Sequence, residues 1–121
     1  MKTIFGKELV KIRLDNGISL KDMAAGLGVP SSYLSAIESA SETNHKKLTS
    51  DFLDRIFGYL RLDEADELRL RRAAAVSTGE YRIDTSSLDE KRLDTLTMFA
   101  QKVGALPPGE IERIRDILKA S

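Results

Sequence analysis

Residues 18–39 read ISLKDMAAGLGVPSSYLSAIES, and their spacing describes two short helices joined by one sharp turn. Ser19 followed by Asp22 is a capping box, so a helix starts there and runs through Met23, Ala24 and Ala25. It does not run far. Gly26 and Gly28 weaken it, and Gly28 stands where the chain must turn, a place suited to a left-handed backbone that a side chain would resist. Pro30 cannot lie inside the first helix but is tolerated where a second one begins. Met23, Leu27, Val29, Leu34 and Ile37 supply the apolar positions that clamp the two helices together, while Ala24 is small enough for a close crossing. The remaining face, Ser31, Ser32, Ser35 and Ala36, has no core role.

Outward from this pair the helical signal continues and no internal repeat interrupts it. Thr3 can cap a first helix whose Phe5, Leu9 and Ile12 recur at the spacing of a core-facing stripe. Residues 39–47, SASETNHKK, are polar and short, hence a loop. Thr49 or Ser50 can cap the next helix, with Phe52, Ile56, Tyr59 and Leu60 on its inner face, and Asp63 caps another that includes Ala65, Leu68, Ala73 and Val76. After Ser77 the pattern breaks. Residues 77–87, STGEYRIDTSS, contain an alternation at Tyr81, Arg82, Ile83 and Asp84 that fits either a short strand or an extended linker. Ser87 and Glu90 form a second capping box, starting a helix with Leu93, Leu96, Phe99, Ala100 and Val103 on one side. Gly104, Pro107, Pro108 and Gly109 end it, and a last helix presents Ile111, Ile114, Ile117 and Leu118.

The segment from Ile18 to Ser39 resembles the helix-turn-helix of the phage-repressor-like (XRE, Cro/CI type) DNA-binding domains, because the alanine, the turn glycine and the Leu34/Ile37 pair all fall in phase. The match extends outward: residues 5–16 resemble the family's first helix, Asn16-Gly17 the turn after it, and residues 48–60 and 63–76 its last two helices. The resemblance covers about the first two-thirds of the chain and implies a five-helix lambda-repressor-like domain at 1–77; with the linker, a possible strand, at 78–87 and the C-terminal helical hairpin at 88–121 read from the pattern, the whole chain is expected to be all-α. The resemblance also implies roles. Ser31, Ser32, Ser35 and Ala36 match recognition-helix positions from which relatives reach base edges, and Tyr33 stands at the helix shoulder beside phosphate or sugar. Ser19 and Lys21 match the start of the supporting helix, and Asn44, His45, Lys46 and Lys47 the loop after the recognition helix, both places where relatives grip the backbone. Arg13 and Glu38 match a pair that forms a structural salt bridge across the domain. The departure is chemical: no Arg, Gln, Asn or Lys sits on the recognition face, so the bidentate contacts worth about 1–3 kcal/mol of discrimination are missing. Readout would lean on serine hydroxyls, a thymine methyl against Ala36, DNA shape and water.

Composition is neutral on this point. The 121 residues suit one small domain plus an appendage, and the formal net charge is zero where nucleic-acid binders are often strongly basic. Distribution matters more: residues 1–50 carry seven Lys/Arg against five acids, a net of +2, which leaves −2 for residues 51–121. With so slight a bias, affinity for DNA would come from a few placed phosphate contacts. There is no cysteine, hence no disulfide or thiolate chemistry, and the lone histidine, His45, has no second ligand for a metal beside it. Absence of a signal peptide or an apolar run long enough for a membrane span leads to the expectation of a cytoplasmic protein without cofactors or membrane partners.

Enzyme readings lose to structural ones. The acidic pairs Asp63/Glu64, Asp66/Glu67 and Asp89/Glu90 each fall in a first helical turn, where the helix dipole stabilises negative charge. Gly26 and Gly28 lack the preceding strand and the GK[ST] of a phosphate cradle, and Asp66 and Glu67 one turn before Arg69, Arg71 and Arg72 make a paired face rather than a basic patch. The C-terminal pair at 88–119 has apolar faces but is too small to bury them alone. Either it folds back as a lid or it pairs with its copy in a second chain, and closed two-fold pairing is the commoner solution. The sequence thus points to a regulator of transcription, a repressor on double-stranded DNA acting as a homodimer. An antitoxin or antiactivator working through a protein partner is the alternative.

Overall fold

The computed structural model describes residues 3–40 and 48–121, which form two compact units, Met1–Arg82 and Ile83–Ser121. The chain is all-helical, with no strand among the described residues. Tyr81 to Asp84 has no regular secondary structure, so the alternation there belongs to a linker and not to a strand.

The first unit holds α1 (Ile4–Asp15), α2 (Leu20–Leu27), α3 (Ser31–Ser39), α4 (Ser50–Leu60) and α5 (Glu64–Thr78). Four starts are closed by side chains that accept an otherwise unmatched N–H: Thr3 from Gly6, Ser19 from Asp22, Thr49 from Phe52 and Asp63 from Asp66. Three ends are closed by left-handed glycines, Gly17, Gly28 and Gly79. At Gly17 (φ 65°) the Ile18 N–H returns to the Arg13 carbonyl, and at Gly28 (φ 73°) the Val29 N–H returns to Ala24, so each bend satisfies the helix it terminates. Pro30 stands at the extended N-cap of α3, where its missing N–H costs nothing.

The core lies where α1 crosses α3 and α5 and where α2 meets α3 and α4. Phe5, Leu9 and Ile12 of α1 meet Met23, Ala24 and Leu27 of α2, Leu34 and Ile37 of α3, and Phe52 and Ile56 of α4. Each large side chain among them contributes about 1.5–3 kcal/mol by leaving water. From α5 the core takes Leu70, Ala73 and Ala74; of the four apolar residues singled out by sequence, only Ala73 is buried, while Leu68 and Val76 are 67% and 56% exposed. The helix is apolar on several faces, so its phase is decided by the packing against α1 and not by its own pattern.

Arg61 ends α4 in the left-handed region (φ 48°, ψ 55°), a conformation that costs a residue with a side chain roughly 1–2 kcal/mol. Arg61→Gly is expected to raise stability by up to about 1 kcal/mol, after the added freedom of the unfolded chain is subtracted. Thermal melting checks this, and a lowered midpoint would show that the Arg61 side chain contributes more than its backbone costs.

In the second unit α6 (Glu90–Lys102) runs through a 3-10 turn (Val103–Ala105) to α7 (Pro108–Lys119). Its cap is Asp89, which accepts from the Arg92 N–H at 2.8 Å and also pairs with the Arg92 guanidinium, and not Ser87 as the capping-box spacing suggested. A carboxylate at the dipole's positive end, held by a second contact, outcompetes a hydroxyl two residues earlier. Asp84 takes the preceding turn: it accepts from the Ser86 N–H and hydroxyl, and these bonds hold its carboxyl below the usual range. Neither α6 nor α7 buries a single residue, and Leu93, Met98, Phe99, Val103, Ile117 and Leu118 are exposed.

Candidate nucleic-acid interface

α3 is two-faced. Leu34 and Ile37 point into the core, and on the other side Ser31, Ser32 and Ser35 are exposed. Ala36 is half-buried at the margin. Tyr33 also belongs to that margin: its ring stands edge-on to Phe52, centroids 5.2 Å apart and planes at 87°, so its ring braces α3 against α4. At the start of α2, Ser19 is exposed with its hydroxyl oxygen engaged in capping, and Lys21 is exposed two residues on. Asn44, His45, Lys46 and Lys47 lie outside the described residues. Within the described residues, then, the turn between α2 and α3 brings Ser19 and Lys21 into the same helix-turn-helix as the three serines.

The scaffold beneath this face is ionic. Arg13 of α1 donates from Nε to Glu38 Oε2 at 2.7 Å and from Nη2 to Glu38 Oε1 at 3.0 Å, while Nη1 donates to the Ile18 carbonyl at 3.0 Å. One guanidinium thus joins α1, the α1–α2 turn and the last turn of α3. The hydrogen bond to Glu38 raises the Arg13 pKa above its already high ordinary value, with burial opposing and the attraction of Glu38 adding to it. Both side chains are largely out of water, 13% and 8% exposed. Two bonds in one plane fix the angle between the helices as a point charge would not.

Gly6, which sequence reading passes over, lies where α1 touches the carbonyl end of α3; a Cβ there would sit 2.6 Å from the Glu38 carbonyl oxygen. Gly26 is likewise explained by contact, because a Cβ on it would overlap the Tyr59 ring. Arg69 and Arg71 of α5 are engaged as the spacing suggested. Arg69 pairs with Asp66 at 3.5 Å, and Arg71 pairs with Glu67 at 2.9 Å while lying 4.0 Å over the Phe57 ring.

With this geometry in view, the family described as Helix-turn-helix matches residues 9–65, which run from the middle of α1 to the start of α5. The first unit is a helix-turn-helix domain of the phage-repressor-like (XRE) family, and the protein is a DNA-binding regulator of transcription. No curated protein and no solved structure matches the chain. Among the described residues no helix is long and apolar enough to cross a membrane.

Proposed function

We propose that the protein is a repressor that binds an inverted-repeat operator as a homodimer, with α3 in the major groove. The observation that carries this reading is the exposed Ser31, Ser32 and Ser35 face, which the core does not use although Arg13 holds the helix rigidly beneath it. Ser19 and Lys21 would grip the backbone, and Asn44, His45, Lys46 and Lys47 are assigned the same task. Repression needs nothing more than occupancy of the DNA. The second unit supports pairing: residues 83–121 contain neither Cys nor His, so no disulfide or zinc site is there to stabilise so small a unit, and none of its apolar side chains is fully buried. A second copy of the same hairpin supplies that cover, and we assign residues 88–121 to dimerisation.

A selection of bound duplexes from a random pool tests the proposal. The enriched sequences should contain inverted half-sites about 10–10.5 base pairs apart, or a multiple of that spacing, since both helices enter one face of the duplex. Lys21→Ala should weaken every duplex alike and reduce the salt slope by about one unit, whereas Ser32→Ala should change which sequence is preferred. Equal losses on all sequences from both variants would mean that α3 does not read bases. The zero net charge and the uncharged face favour one other reading, an antitoxin or antiactivator whose partner is a protein. Low-salt affinity for duplex DNA no better than that of an unrelated neutral protein would select it.

A further inference from the structure

We propose that Gly6 is a positioning residue for the recognition helix: the absence of a side chain there lets the first turn of α1 seat the carbonyl end of α3 and so sets the angle at which α3 meets DNA. Gly6 is not among the glycines with a left-handed backbone, so its use is not conformational freedom. Space is the reason. A Cβ would stand 2.6 Å from the Glu38 carbonyl oxygen and 3.0 Å from that of Ile37, and both atoms are backbone of α3, which cannot swing aside as a side chain would. Around this contact the chain adds three ties. The Thr3 N–H donates to the Ala40 carbonyl at 2.8 Å, just beyond α3, and the Thr3 hydroxyl oxygen accepts from the Gly6 N–H at 3.1 Å. From α5, the Ser77 hydroxyl oxygen accepts from the Phe5 N–H at 3.2 Å, holding the same turn from its other side. Two residues of α3 in this contact, Ile37 and Glu38, are also the ones that anchor its core face and its ion pair. A shift of α3 at this end therefore tilts the exposed serines at its other end relative to the rest of the domain.

The inference rests on the proposed sequence reading by α3, and two measurements on Gly6→Ala keep the ideas separable. In the free protein, the amide resonances of Ile37 to Ala40 should move more than those of α4, because the added methyl must displace the α3 backbone. With a duplex enriched from a random pool by the wild-type protein, preference over a scrambled duplex should fall about tenfold, the scale of one misaligned base contact. Affinity for the scrambled duplex should change by less than about twofold, since backbone grip remains. A lowered melting midpoint with intact preference would make Gly6 merely structural and overturn the proposal. Should Gly6→Ala fail to fold, Thr3→Val removes the acceptor for the Gly6 N–H without adding an atom toward α3, and preference should drop by about threefold; preference unchanged overturns it as well. A wild-type protein that enriches no sequence removes the sequence-reading function instead, and amide shifts confined to α1 would then separately remove the positioning role.

Discussion

Glu38→Ala is expected to cost the domain about 3–5 kcal/mol, because it strands the Arg13 guanidinium in a site only 13% exposed. Little of that cost is the ion pair's own net attraction, which desolvation largely offsets; most of it is the burial of a charge left without its partner. For a domain of this size each kcal/mol moves the melting midpoint by about 4–8 °C, so the drop should exceed roughly 12 °C. Glu38→Gln, which keeps an acceptor at the same place, should lose less. The double variant Arg13→Met with Glu38→Leu should recover much of the loss, since no charge then remains buried. A Glu38→Ala protein melting within about 2 °C of the wild type would reject this account of the pair.

Removing residues 83–121 is expected to leave a folded helix-turn-helix domain, because the core residues all lie between Phe5 and Ala74. Cutting after Arg82 preserves Ser77, whose hydroxyl holds α1, and the glycine that closes α5. The truncated protein should sediment as a monomer and bind the selected operator about 10²–10⁴ times more weakly, as a second binding event changes from intramolecular to bimolecular. Sedimentation beside footprinting reads both quantities. If the full-length protein is itself a monomer protecting one asymmetric half-site, the dimer model is lost.

The signals legible in the sequence were the local ones. Thr3, Ser19 and Asp63 cap because each hydroxyl or carboxylate acts on an N–H three residues ahead, and Gly28 turns because its own backbone must. The stripe of Phe5, Leu9 and Ile12 worked for the same reason: one helix carries the whole pattern. What escaped was decided by which contacts the folded chain makes, most of them between distant segments. Leu70 outranks Leu68 because α1 lies against one side of α5, and Asp89 outranks Ser87 through its second bond to Arg92. Gly6 reads as a weak point in a helix until the carbonyls of Ile37 and Glu38 are brought against it. Of the binding face, periodicity shows that Ser31, Ser32 and Ser35 leave the core, whereas the pairing of Arg13 with Glu38 was suggested by resemblance to the family.

The separation of α3 into a core half and an idle half has a consequence for the history of such a regulator. Since Ser31, Ser32 and Ser35 are exposed, replacing one of them by glutamine or arginine leaves the core untouched and, under the proposed reading by α3, changes the hydrogen-bonding alphabet offered to a base. Under that reading new target sites lie one substitution away, free of the stability losses that confine drift elsewhere in the chain. A gene duplicate built on this scaffold can part company with its parent by altering what it reads while retaining everything that holds the reader in place.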